Sequence, residues 1–140
     1  MIIDKFLQVS DKQAVTATAA STDVIDLGQA NPNVGVGGRL SMVITVGEAA
    51  TASGAATVVI SVQDSADNAT FADIIATGAI PKAALTLGAQ VVLPMPPVVR
   101  RYVRVNYTVA AGPLTAGKFS AQLVTGYTQN TPYPDSPNIS

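Results

Sequence analysis

The chain has 140 residues and a mass of 14.2 kDa, the size of one domain, and is 48% hydrophobic but only 12% charged, about half the charged share usual for a soluble domain. A chain this long buries about two thirds of its unfolded surface, so a real core is expected and disorder is excluded. Histidine and cysteine are absent, which removes disulfides, imidazole or thiolate metal sites, cysteine and histidine nucleophiles and the commonest general base; we expect neither enzyme activity nor a cofactor.

The net charge of −1 conceals a segregation: residues 1–73 carry eight acids against Lys5, Lys12 and Arg39, a balance of −5, while residues 74–134 carry five bases and no acid, a balance of +5. The economical reading is two halves of one fold that attract each other.

The first ten residues carry Asp4 and Lys5 within their apolar stretch, which leaves no uninterrupted signal-peptide core, so synthesis in the cytoplasm is expected. No run approaches 18 apolar residues, so no membrane-spanning helix is expected. Short strands are read over 14–19 and 24–27. Gly35, Gly37 and Gly38 precede Arg39 without the lysine of a phosphate-binding loop or a following helix, and read as a glycine turn. Leu40, Met42, Ile44 and Val46 alternate with polar or smaller residues and predict a strand, followed by an alanine-rich loop over 49–56. Val58, Ile60 and Val62 predict the next strand, ending in a turn-rich stretch over 64–70.

Weaker strands follow over 71–76, 85–87 and 91–93. The longest strand is expected over 99–109, where Val99, Val103, Val105, Tyr107 and Val109 share one parity. A hairpin loop over 110–116 would then join it to a strand carrying Phe119, Ala121 and Leu123. Beyond it the tail, 128–140, contains Pro132, Pro134 and Pro137 and reads as an arm. Eight or nine short strands with no helical spacer indicate an all-β antiparallel sandwich, with the jelly roll the leading topology, formed by one domain over 1–127.

No constellation nominates a catalytic centre. Asp64, Asp67 and Asn68 are hard oxygen ligands, but their spacing misses the calcium-loop pattern and no glutamate closes it, so a hairpin loop bonding its own backbone is the better reading and no metal is expected. Sequons at Asn68, Asn106 and Asn138 carry no weight without a secretory signal. Arg100, Arg101 and Arg104 form the basic cluster, with Tyr102 as its aromatic neighbour. A net negative chain without a second basic stripe argues against nucleic acid and for an interface or ion-pair role. If residues 99–109 form one strand, Arg100, Tyr102 and Arg104 share a face as a cationic stripe, while Arg101 lies opposite with its guanidinium paired. Pro132, Tyr133 and Pro134 of the tail are further candidate contacts. A surface so poor in charge suggests that part of it is covered in an assembly.

The stretches over 10–28 (SDKQAVTATAASTDVIDLG), 61–71 (SVQDSADNATF) and 101–105 (RYVRV) resemble the small capsid cement proteins of tailed phages, of the Bordetella-phage type. The resemblance implies a jelly roll that forms a homodimer on the outside of an HK97-type icosahedral shell and clamps neighbouring major capsid subunits. It carries no active-site motif. The competing reading, a phage tail or surface module that binds carbohydrate, would call for exposed aromatic platforms, and the chain has four tyrosines and no tryptophan.

Overall fold

The computed structural model describes residues 3–30, 32 and 40–125. The strands, in chain order, are β1 (Gln8–Ala14), β2 (Ala19–Ala20), β3 (Ile25–Asp26), β4 (Leu40–Thr51), β5 (Thr57–Ser65), β6 (Ala72–Ala76), β7 (Ile80–Pro81), β8 (Gln90–Pro94), β9 (Tyr102–Ala110) and β10 (Ala116–Thr125). Two single 3-10 turns, Lys5–Leu7 and Lys82–Ala84, are the helical elements among the described residues. The chain is all-β.

The strands form two antiparallel sheets packed as a sandwich. Sheet A has the order β1-β10-β4-β8; sheet B has β2-β9-β5-β6, with β3 also on β9 and β7 on β5. Counting β2 with β3 and β6 with β7 as interrupted single strands leaves eight, in the orders 1-8-3-6 and 2-7-4-5. Every connection between these eight then crosses from one sheet to the other, apart from the β5–β6 hairpin.

Period two sets the core. Met42, Ile44 and Val46 of β4 lie opposite Leu123, Ala121 and Phe119 of β10, and all six are buried. From sheet B, Val58, Ile60 and Val62 of β5 pair with Val109, Tyr107 and Val105 of β9. The two layers meet where the Tyr107 and Phe119 rings stack, 5.3 Å between centroids and 25° between planes. Packing face to face buries the inner face of each sheet at the sandwich spacing of about 10 Å.

Several expectations are corrected. β9 and β10 do not form a hairpin: they lie in different sheets. The segment between them crosses the sandwich edge, with Leu114 buried between the layers and its N–H donating to the Thr16 carbonyl at 2.9 Å. The turn uses positive φ at Ala111 (61°) and Gly112 (104°), where glycine carries no steric cost.

The expected loop over 49–56 is strand as far as Thr51, because Thr51 pairs with Ala116 and Ala50 enters the core; pairing outweighs alanine's poor strand propensity. Of the strand expected over 14–19 only the two ends are strand, Ala14 closing β1 and Ala19 opening β2, and the strand of this region is β1, which precedes it. β1 is an edge strand with two register shifts and a positive φ at Lys12 (46°), so its side-chain alternation is broken. Residues 85–87 are not a strand: Leu85 caps the turn Lys82–Ala84 and is buried, while Leu87 is exposed. The glycine turn, with Arg39, and the tail lie outside the described residues.

Candidate functional site

The basic cluster lies at one end of sheet B, and its three arginines do three different things. β9 starts at Tyr102, so Arg100 precedes the strand instead of sharing its alternation. Asp64, buried at the end of β5, holds it there: Asp64 Oδ2 accepts the Arg100 backbone N–H at 3.0 Å, and Oδ1 accepts from Nε at 2.9 Å and Nη2 at 2.6 Å. Nη2 also donates to the Asp64 carbonyl at 2.8 Å. These bonds raise the pKa of Arg100 above its ordinary value, with the Asp64 hydrogen bonds the main cause. Arg100 therefore closes the end of sheet B, and its charge is spent inside the chain.

Arg101 reaches the other way. Its Nε and Nη2 donate to Oδ1 and Oδ2 of Asp26 at 2.8 and 3.0 Å, a bidentate fork. The guanidinium lies 5.1 Å from the centroid of the Tyr102 ring. This fork, with the Gly28 N–H that also donates to Asp26, holds the Asp26 carboxyl below its usual range. Arg100 and Arg101, with Ala30 and Ala66, line a shallow hollow, but both guanidinium groups already have carboxylate partners.

Arg104 is on the outer face of β9 with Tyr102, as its parity predicts. No carboxylate among the described residues pairs with it. Its Nε donates to Gln63 Oε1 at 2.8 Å, and its guanidinium stacks 3.8 Å above the centroid of Phe71. Gln63 in turn donates from Nε2 to Asp73 Oδ1 at 2.8 Å. The expected three-residue stripe is thus not assembled: Tyr102 and Arg104 share a face, Arg100 is tied back, and Pro132, Tyr133 and Pro134 lie outside the described residues. Gln63, Phe71 and Asp73 are not legible as candidates in the sequence, because only the register of β5 against β9 and β6 brings them to Arg104.

The turn-rich stretch over 64–70, whose first two residues still belong to β5, closes the β5–β6 hairpin, its turn bonding its own backbone. Asp67 Oδ1 accepts the N–H groups of Ala69 and Thr70, both at 2.9 Å, and the Ser65 hydroxyl at 2.8 Å. These donors lower the Asp67 carboxyl to about 2, Thr70 contributing most. Both carboxylates of the loop are engaged by protein donors, and no group of three acidic side chains suited to a metal occurs among the described residues.

With this geometry in place, comparison with family models matches residues 9–123 to the Bbp16 model. The chain belongs to the Bbp16 family. Bbp16 is a Bordetella phage protein family. The match runs from Val9 in β1 to Leu123 in β10, so it takes in both sheets and the Arg104 cluster. A search of curated proteins finds no match.

Proposed function

We propose that this protein is a non-catalytic structural component of a phage virion: a cement protein that binds the outer surface of an HK97-type icosahedral capsid as a homodimer and clamps neighbouring major capsid subunits. The observation that carries this reading is the Bbp16 match across the whole sandwich. The fold supports it. The interleaved strand orders, 1-8-3-6 and 2-7-4-5 over eight strands, suit the jelly roll expected of such a protein, and jelly rolls recur in viral capsid proteins. The described ion pairs Arg100–Asp64, Arg101–Asp26 and Lys118–Glu48 are all internal, so much of the sparse charge is used within the chain. Most of what is otherwise exposed among the described residues is alanine, threonine, glycine and proline, a surface poor in charge and suited to being covered.

The mechanism requires no chemistry. A rigid sandwich that contacts two shell subunits at once adds buried area across a junction, and because it binds only the assembled shell it stabilises that state by mass action. The test is to assemble particles with and without the protein, count its copies per shell on purified particles, and heat both. Particles that lack it are expected to assemble normally and to break at lower temperature. Equal breakage would rule out the clamp.

A further inference from the structure

Three neighbouring strands of sheet B place Arg104, Gln63 and Asp73 in one row across its outer face. Gln63 is the register partner of Arg104 in β9 on one side and of Asp73 in β6 on the other. With strands about 4.8 Å apart, Arg104 and Asp73 stand about 10 Å apart with Gln63 midway. The row is wired from end to end, Arg104 Nε to Gln63 Oε1 and Gln63 Nε2 to Asp73 Oδ1, each at 2.8 Å. The stacking of the guanidinium on Phe71 fixes its plane. Among the described residues no hydrogen bond uses the Arg104 Nη atoms or Asp73 Oδ2, so the row ends in free donors at one side and a free acceptor at the other.

A row that reads cation, amide, carboxylate is complementary to its own image. A two-fold axis lying above the sheet, parallel to β5 and passing over Gln63, carries Arg104 of one copy onto Asp73 of the other and the reverse. The two Gln63 side chains then meet on the axis, where an amide is both donor and acceptor. We propose that the outer face of sheet B is the surface on which a second copy of this chain docks, with two reciprocal Arg104–Asp73 ion pairs setting the orientation. This rests on the homodimer reading above and names the face that forms it. Aligned sheets cross by about 30°, which displaces residues so close to the axis by only about 2–3 Å, within the reach of an arginine. The outer face of sheet A offers no such device, since Val43, Gln122 and Val124 at its centre are uncharged and buried.

The size of the face sets the expected strength. Three strands about 14 Å wide and about 30 Å long project roughly 400 Å² per copy, about 800 Å² in total, below the roughly 1,000 Å² of a stable specific contact and in the range of weak, transient ones. The free dimer is therefore weak and concentration-dependent. Arginine pre-ordered by stacking loses less freedom on pairing, so these pairs count for more than ordinary surface ion pairs.

The experiment is a charge swap followed by sedimentation up to about 300 µM, with circular dichroism as the control for folding. Arg104→Glu and Asp73→Lys are each expected to raise the dimer dissociation constant roughly tenfold or more, because each variant sets like charges together twice in its own dimer. Mixed in equal amounts, the two variants should form a heterodimer. The acid introduced at position 104 of one copy then meets the base introduced at position 73 of the other, while the native Arg104 and Asp73 that remain meet each other. Asp73 is exposed, so Asp73→Lys keeps the test valid if Arg104→Glu unfolds. Dimerisation should be restored in the Arg104→Glu/Asp73→Lys double variant. A wild-type protein that stays monomeric, or single variants that dimerise like wild type, would overturn the proposal. Binding of the same variants to particles is measured separately, so loss of this face and loss of the cement role give different results.

Discussion

Tyr107 offers the sharpest test of how the two sheets are held together. It projects from β9 into the core, and its hydroxyl donates to Ser10 Oγ of β1 at 3.0 Å; Ser10 Oγ donates onward to Gln13 Oε1 at 2.9 Å, and Gln13 Oε1 also accepts the Thr22 N–H at 2.9 Å. Removing either end of the first bond has unequal consequences. Tyr107→Phe deletes the donor and leaves Ser10 still bonded to Gln13, so it should cost about 1 kcal/mol. Ser10→Ala strands a buried hydroxyl without an acceptor and should cost about 2 kcal/mol, within a range of about 1–3. The double variant removes both partners and should be no less stable than Ser10→Ala alone.

The effect of pH separates this bond from simple packing. Burial pushes the Tyr107 phenol up to about 12, outweighing the opposite effect of its Ser10 bond. In the unfolded chain it ionises near 10, so between pH about 10 and about 12 the unfolded state releases a proton that the folded state retains. Stability therefore falls with rising pH, by roughly 2–3 kcal/mol across that window. Tyr107→Phe lacks this loss. It should be the less stable protein at pH 7, by about 4 °C in Tm, and the more stable one above about pH 11. Chemical denaturation at pH 7, 10 and 11.5 would show the crossover. Parallel curves for wild type and Tyr107→Phe above pH 10, or a Ser10→Ala variant milder than Tyr107→Phe, would refute the reasoning.

Two further outcomes concern the ends of sheet B. Asp67, lowered to about 2 by its three donors, should titrate near that value in a carboxyl NMR experiment; because its folded pKa is depressed, its contribution is present above the ordinary carboxylate range and is lost as pH falls from about 4 toward about 2. A midpoint near 4 would contradict the loop geometry. Arg101→Ala should lower Tm and return the Asp26 carboxyl toward its ordinary value, since the bidentate fork is the main cause of its depression; an Asp26 titration unchanged in the variant would show that the pair does not form in solution.

The parts of the fold visible in the sequence are those where one residue pattern meets one environment. β9 alternates cleanly because one face lies in the core, and β4, β5 and β10 keep a core-facing apolar parity although outer-face residues such as Val43, Ser61, Gln122 and Val124 are buried as well. β1 is hidden because its two bulges break the alternation, and β7 because two residues, one of them a proline, carry no pattern. The β9–β10 connection escapes the sequence for a different reason. A strand's periodicity records which face is buried but not which neighbour it pairs with, so a short connection looks the same whether it turns within a sheet or crosses between two. The same gap hides the Arg104 row. Parity puts Arg104 and Tyr102 on one face, yet Gln63 and Asp73 lie 41 and 31 residues away and meet Arg104 only through register. Arg100 departs from the parity argument because Asp64 captures its backbone N–H and keeps it outside the strand.

The charge segregation along the chain becomes intelligible once the connections are seen to cross. In sheet A the order β1-β10-β4-β8 alternates strands of the acidic half with strands of the basic half, and in sheet B β9 of the basic half lies between β2 and β5 of the acidic half. Where both neighbours carry a net charge the signs are opposite, Lys118 of β10 beside Glu48 of β4 and Arg104 of β9 beside Asp64 of β5, while β2 and β8 are uncharged. Three of the four ion pairs among the described residues, Arg100–Asp64, Arg101–Asp26 and Lys118–Glu48, join one half to the other. Pairing within a half would have brought like charges together, which disfavours simple hairpins and favours the interleaved order. The exception supports the rule: β6 straddles the boundary and brings Asp73 of the acidic half beside β5, and there Asp73 faces Gln63 and Asp64 faces Ala72, never another acid. That spacing by an amide leaves Asp73 without a cation and Arg104 without a carboxylate among the described residues, two opposite charges on one face that a neighbouring copy is placed to join.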